Sequence, residues 1–191
     1  MWSKPFLFVF FMLLTSAGII AQSNRKIQTR EYTGKNQLLS AGIFFPLGDF
    51  AKSHVTGAGV EYGYSKNRFG LLSKKPGKEI GFIFTGSAAY YFGKNDKTSS
   101  APGFKFKNLT YLHASAGAIY NPSDKTNICL TTGPAAEIYA GNTSIGFIVN
   151  LCSSYFVNKK MGIIPAISYI KQSEAGPLWV ATLKASIILD K

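Results

Sequence analysis

Apolar residues alternate with small or polar residues in segment after segment of this chain, from about residue 38 to residue 189. In one segment Val60, Tyr62 and Tyr64 alternate with glycine and glutamate, and the last segment repeats the pattern from Ala181 to Leu189. A period of two is typical of a β-strand whose two faces meet different environments. Because about eight such segments are separated by turn residues, the sequence predicts an all-β fold, an eight-stranded antiparallel up-and-down transmembrane β-barrel.

Turn residues set the bounds of the predicted strands. The strands are expected over residues 36–45, 55–66, 79–92, 104–120, 126–139, 143–157, 161–171 and 178–189. Each is long enough to supply the roughly 9–11 residues that a strand needs to cross a bilayer. Two of the strands contain a proline, Pro134 and Pro165. Proline lacks the N–H that a strand donates, so we expect a bulge or a strand end at each.

The first 21 residues have the pattern of a secretory signal peptide. An apolar run, Phe6–Leu14, is followed by the small residue Ala21 at the expected cleavage point. An uncleaved anchor is the alternative, but the apolar run is short of the roughly 20 residues that a membrane helix needs. Residues 22–35 are polar and basic, so we expect a flexible segment there and the barrel over residues 36–191.

The formal net charge of +12 at pH 7 is spread over lysines near the strand ends. Basic residues in such positions can contact lipid phosphates at a membrane edge. A nucleic-acid interface would need a basic face with aromatic stacking positions. The tyrosines and phenylalanines follow the strand alternation instead, so nucleic acid is not an expected partner.

The phase of the alternation assigns one face of each strand to the lipid and the other to the lumen. Three charged residues, Glu61, Glu137 and Lys184, fall in the inward phase. A lysine facing lipid at mid-bilayer costs about 2–4 kcal/mol, whereas charges inside the barrel can pair. Side chains just fill the interior of an eight-stranded barrel. The sequence therefore predicts a packed polar lumen, with a narrow solute channel as the alternative.

The two cysteines, Cys129 and Cys152, lie opposite each other if the fifth and sixth strands pair about Ala140–Gly141. Both are in the inward phase, and export permits a disulfide, although a register shift of one residue would prevent it. Two free lumenal thiols are the alternative. Two cysteines and two histidines show no ligand spacing, so no metal and no cofactor are predicted.

As a whole the chain resembles the small outer-membrane β-barrel proteins of Gram-negative bacteria, of the eight-stranded OmpA/OmpX-like type. The likeness rests on the signal ending at Ala21, the opening strand Leu38–Phe50, the segment Gly57–Tyr64 and the amphipathic last strand. It departs at the carboxyl end, where such barrels often have an aromatic residue and this chain has Lys191.

This resemblance implies export through the periplasm to the outer membrane and a structural or interaction role in the envelope, without catalysis. The implied partners are outer-membrane lipid and lipopolysaccharide, and another envelope protein is a further candidate partner. A monomer is favoured. A soluble lipocalin-like binding barrel, with apolar side chains inside, is a further alternative.

His113 and Ser115 are the candidate catalytic pair, since residues two apart on a strand point the same way and a histidine can activate a serine hydroxyl. The segment from His113 faintly resembles the His-x-Ser motif of outer-membrane lipid A deacylases. In that family the pair meets lipid and an acid orients the histidine. Here the alternation turns both residues inward, Ala116 replaces the expected asparagine, and Glu137 does not match the position of the acid. A lipid A hydrolase is therefore kept only as an alternative.

Overall fold

The chain folds into a closed β-barrel in which each strand pairs with the next and the last pairs with the first. The computed structural model describes residues 35–67, 79–95, 104–123, 125–158, 160–172 and 176–189. Every pairing is antiparallel, which confirms the predicted fold class. The strands are β1 Lys35–Leu47, β2 His54–Asn67, β3 Glu79–Gly93, β4 Leu109–Ser123, β5 Thr126–Tyr139, β6 Asn142–Phe156, β7 Met161–Gln172 and β8 Leu178–Leu189.

The predicted signal peptide, residues 1–21, lies outside the described residues. The predicted flexible segment, residues 22–35, lies outside them as well, except for residue 35, where β1 begins. Among the described residues, no helix has the length and apolar character needed to cross a membrane. One short helix in the described part of the chain, α1, covers Phe50–Ser53 between β1 and β2. Its position divides the barrel into two ends. The α1 end carries the connections that follow β1, β3, β5 and β7. The opposite end, which we call the termini end, carries the other connections, the start of β1 and the end of β8.

Two predicted strand features are wrong in detail. β4 begins at Leu109 rather than at Phe104, and the residues between them lie beyond the barrel, where Lys105 forms an isolated bridge with Asn95. Neither internal proline causes a bulge. The β4–β5 ladder is interrupted beside Pro134 and the β6–β7 ladder beside Pro165, and in both cases the register resumes unchanged. Each proline therefore removes one N–H donor from one ladder, and the residues on either side of it keep their inward or outward orientation.

The outer wall of the barrel is apolar. Exposed and buried residues alternate along each strand, and the exposed set includes Val60, Tyr62, Phe82, Phe84, Leu130, Ile145, Phe147, Leu183 and Ile187. Of the strand carboxylates whose side chains are described, Glu61 is buried and Glu137 is half-buried, and neither lies on the outer wall. This arrangement excludes the lipocalin-like alternative, because that alternative requires the large apolar residues to be inside.

The interior is filled in layers. An apolar cluster built around Phe44, Phe50, Tyr91 and Val180 occupies the α1 end. A second cluster contains both cysteines with Ile83, Ile119, Ile164 and Ala166. A small cluster at the termini end consists of Leu38, Phe156 and Ile188. Buried polar side chains lie between the α1-end cluster and the cysteine cluster, and they form the candidate site.

The polar lumen as candidate functional site

A buried ion pair links two strands that are not neighbours. Lys184 on β8 donates a hydrogen bond from Nζ to Oε1 of Glu61 on β2, at 2.6 Å. β1 lies between them, and its Gly42 stands opposite Lys184 while Ser40 stands opposite Glu61. A Cβ at Gly42 would come within 2.7 Å of the Lys184 Cα. The glycine therefore provides the space in which the lysine side chain crosses beneath β1.

Glu137, the third charged residue predicted for the lumen, lies away from this pair. It stands opposite Tyr111 on β4 and Ser144 on β6, close to the turn at the α1 end. Its Oε2 atom makes no hydrogen bond to any described residue. The structure thus joins two of the three predicted charges and separates the third.

His113 and Ser115 both point into the lumen, but they are not hydrogen-bonded to each other. Ser115 Oγ lies 2.7 Å from Thr85 Oγ1 and donates to Thr131 Oγ1 at 3.1 Å. The two ring nitrogens of His113 make no hydrogen bond to the described protein atoms. No base therefore acts on the serine in this arrangement, and neither side chain reaches the lipid.

A small cavity is lined by both His113 and the ion pair. Its volume is about 20 Å³, and its lining includes Glu61, His113 and Lys184 together with Ser87, Asn150, Ser168 and Thr182. Asn150 Oδ1 accepts a hydrogen bond from Ser168 at 2.9 Å. A space of this size accommodates about one water molecule and not a passing solute.

An aromatic plug closes the α1 end of the lumen. Phe50 of α1 is buried, and its ring centre lies 5.1 Å from that of Tyr91 and 4.9 Å from that of His54. His54 is buried as well, with Nδ1 at 2.8 Å from Ser53 Oγ and Nε2 at 3.1 Å from the Lys107 carbonyl oxygen. This contact fastens α1 to the segment before β4. The alternation gave no indication of this plug, because Phe50 lies outside the strands.

Charged side chains surround the plug on the solvent side. Lys52 and Asp49 form an exposed pair at 2.7 Å. The hydrogen bond and the charge of Lys52 hold the pKa of Asp49 below its usual value, and Asp49 raises the pKa of Lys52 in the same way. Lys94 donates from Nζ to the carbonyl oxygen of Ala51 at 2.5 Å. Lysines thus outnumber acids among the described residues of this end.

Cys129 and Cys152 are direct partners in the β5–β6 ladder, with their Cα atoms 5.2 Å apart and their sulfur atoms joined. This separation is common in disulfides. The Ala140–Gly141 turn sets the register, with φ of 55° and 89° at its two residues, as a two-residue hairpin turn requires. Within the described residues, no three potential ligand side chains are grouped to hold a metal ion.

A closed barrel with an apolar outer wall and a packed interior is a transmembrane β-barrel, because closure satisfies every backbone group within the membrane. No protein-family model matches the sequence, and no curated protein matches it. Solved structures do match. Ail, the attachment invasion locus protein of Yersinia pestis, is 11% identical over 81% of this chain and 97% of its own, with a TM-score of 0.52.

The structure of Ail with the heparin analogue sucrose octasulfate gives a TM-score of 0.54 at 10% identity, over 82% of this chain and 100% of that one. Neisserial surface protein A has 16% identity over 83% and 98% of the two chains, with a TM-score of 0.47. The similarity to Ail shows that the chain has the fold of the small eight-stranded outer-membrane β-barrels of Gram-negative bacteria. Its apolar outer wall is suited to contact with lipid.

Proposed function

We propose that this protein is a non-catalytic scaffold of the outer membrane whose α1 end binds the phosphate groups of lipopolysaccharide. The observation that carries the proposal is the segment Phe104–Asn108 beside β4. In it Phe104 and Phe106 alternate with two exposed lysines, Lys105 and Lys107. We call these two lysines the rim pair.

The surroundings of the rim pair suit a membrane interface. The rings of Phe104 and Phe106 pack at 5.2 Å, and on β3 those of Tyr90 and Phe92 pack at 5.3 Å. Girdles of aromatic side chains flank the apolar band of transmembrane β-barrels at the membrane interfaces, and a lysine beside them can extend its ammonium group to phosphate. Such a lysine contributes about 1 kcal/mol near an anionic surface.

The α1 end is the better candidate for the outer, lipopolysaccharide-bearing surface. Its longest connection runs over residues 94–108, whereas the longest at the termini end runs over residues 68–78. Barrels of this kind have short periplasmic turns and longer external loops. Ail, which has a similar fold, forms a complex with sucrose octasulfate, a polyanion. Polyanion binding is therefore compatible with this architecture.

Catalysis and conduction are less well supported. Ser115 is hydrogen-bonded to Thr85 and Thr131, and it faces the lumen with His113. We expect Ser115→Ala to leave the lipid A of an expressing strain unchanged in mass. The plug and the layers of the interior make the barrel too full for a pathway, so the wild-type protein should give no steps in planar-bilayer conductance.

The test compares two double variants that remove equal charge from opposite ends. Lys105→Gln/Lys107→Gln removes the rim pair, and Lys66→Gln/Lys125→Gln removes two lysines at the termini end. Binding of lipopolysaccharide to the barrel in lipid nanodiscs is measured at low and at moderate salt. We expect the rim variant to bind about 10- to 30-fold more weakly, which corresponds to about 1 kcal/mol per lysine.

Dephosphorylated lipopolysaccharide serves as the second control, and it should bind the wild type as weakly as the rim variant binds the native lipid. Equal affinities for the two double variants would contradict the assignment to the α1 end. Salt-independent binding would contradict phosphate recognition altogether.

A further inference from the structure

The 20 Å³ cavity has polar atoms around it that the protein leaves without partners. Both ring nitrogens of His113 and the hydroxyl of Thr182 are buried and make no hydrogen bond to any described residue. Both residues line the same space, and Thr182 is 6% exposed. A buried polar group without a hydrogen bond costs about 1–3 kcal/mol, so the unpaired groups of the two lining residues require an explanation.

We propose that this cavity is a binding site for one water molecule, held between His113, Thr182 and the Glu61–Lys184 pair. Three features select water. The volume exceeds the roughly 10–15 Å³ that a single water needs, and it is too small for an organic ligand. Glu61 and Lys184 neutralise each other at 2.6 Å, so the cavity offers no net charge to retain an ion.

The donors and acceptors of the lining match the needs of a water molecule. A neutral imidazole offers one N–H donor and one acceptor nitrogen, and a threonine hydroxyl offers both. A water that accepts from one group and donates to another connects His113 on β4 with Thr182 on β8, across the lumen. Buried waters commonly make about three such hydrogen bonds. The two ring nitrogens of an imidazole point in different directions, so this one water pairs with one of them and with the Thr182 hydroxyl.

This water does not form part of a channel. Toward the α1 end the apolar cluster around Phe44 and Tyr91 lies next to the cavity. Elsewhere in the lumen the Thr85–Ser115–Thr131 hydrogen bonds and the cysteine cluster occupy the interior. The water is therefore expected to exchange slowly, and this property makes it measurable.

The experiment detects long-lived water by NMR in the full chain reconstituted in lipid nanodiscs. The chain has two histidines, so nitrogen-15 labelling of histidine gives ring-nitrogen signals from two imidazoles only. The expected result is a water contact at the His113 ring with a residence time longer than nanoseconds. His54 is the internal control, because its two nitrogens pair with Ser53 and Lys107.

Two matched variants locate the site. Thr182→Val removes a lumenal hydroxyl and should weaken the water contact at His113 at least several-fold. Thr132→Val makes the same chemical change on the outer wall, where its hydroxyl donates to the Ile148 carbonyl oxygen at 2.9 Å, and it should leave the contact unchanged.

The wild-type measurement decides the matter even if a variant fails to fold. Nitrogen-15 shifts that show His113 bonded directly to a protein group, with no long-lived water beside it, would overturn the proposal. If Thr182→Val and Thr132→Val changed the water contact equally, Thr182 would not be part of the water site and the proposed position would be wrong. The lipopolysaccharide proposal does not depend on either outcome.

Discussion

Lys184 and Glu61 meet inside the barrel although 123 residues separate them in the chain, and their charged atoms are 2.6 Å apart. The contact exists only because β8 closes against β1. Removing one partner of a buried pair leaves an uncompensated charge, so we expect Lys184→Met to lower the free energy of unfolding by about 3–5 kcal/mol. Equilibrium unfolding in urea, with the barrel folded into lipid vesicles, measures the loss.

The double variant Glu61→Gln/Lys184→Met is the control for this pair. It should be more stable than the sum of the two single losses implies, because no charge is then left buried. Strict additivity of the two single effects would show that the residues do not interact in the folded barrel.

Gly42 and Gly63 offer a matched pair of inward glycines. A Cβ at Gly42 would press against the Leu183 carbonyl oxygen and lie 2.7 Å from the Lys184 Cα, whereas the atom nearest to a Cβ at Gly63 is the Leu38 Cβ at 3.7 Å. Overpacking of this kind costs about 1–3 kcal/mol. We expect Gly42→Ala to be destabilising by that amount and Gly63→Ala to be close to neutral. The same urea titration compares them, and an equal loss for both would contradict the close approach of β1 to Lys184.

The alternation in the sequence was sufficient to assign faces, because a period of two fixes the side on which each residue lies. It turned Glu61, Glu137 and Lys184 inward, and it turned His113 and Ser115 away from lipid. It could not assign their height along the barrel. Height depends on the stagger between strands, which is set when β8 pairs with β1, so the pattern could not tell that Glu137 would lie apart from the other two.

The plug is absent from the sequence prediction for a different physical reason. Phe50 and His54 lie between the predicted strands 36–45 and 55–66, where no periodic pattern applies. Their burial follows from a turn of helix that places one ring over the lumen and from a hydrogen bond to the distant Lys107 carbonyl.

The cross-strand cysteines predict a defined redox behaviour. Cys129 and Cys152 are 23 residues apart. In the chain-entropy treatment, a bridge over this length lowers the entropy of the unfolded chain and raises the free energy of unfolding by about 3 kcal/mol. We expect the double variant Cys129→Ser/Cys152→Ser to lose up to that amount. Mass spectrometry after alkylation of the denatured protein should show no modified thiol before reduction and two afterwards. Two modified thiols without reductant would establish that the cysteines are free.

Phe50 should contribute more to stability than a phenylalanine of the outer wall. It is 5% exposed and packs on Tyr91 and His54, whereas Phe92 is 51% exposed. Truncation of a buried phenylalanine costs about 3–5 kcal/mol. Phe50→Ala should therefore lower the free energy of unfolding more than Phe92→Ala does. The Phe50→Ala barrel should still give no conductance in planar bilayers, because the polar layer and the cysteine cluster continue to fill the lumen. Equal losses would mean that α1 does not close the lumen in the membrane.

Trp179 reports directly on which face of the barrel meets lipid. Its side chain lies on the outer wall at the start of β8, 43% exposed, with its ring centre 5.0 Å from that of Tyr169. The chain has one other tryptophan, Trp2, which lies in the predicted signal peptide, and Trp2→Phe leaves Trp179 as the single tryptophan whether or not the signal is cleaved. In vesicles of brominated phospholipid its emission should be strongly quenched, and more by bromine near the headgroup than by bromine at the bilayer centre, because an interfacial ring lies at headgroup level.

The matched control for Trp179 moves the fluorophore inside the barrel. In a background of Trp2→Phe/Trp179→Phe, Tyr91→Trp places the indole among the buried residues of the α1-end cluster. Its emission should be quenched far less by either lipid, provided that the variant shows the heat-dependent gel shift of a folded barrel. Similar quenching at both positions would mean that residues 91 and 179 face the same environment. That result would reverse the assignment of faces on which the buried ion pair and the inward orientation of His113 and Ser115 depend.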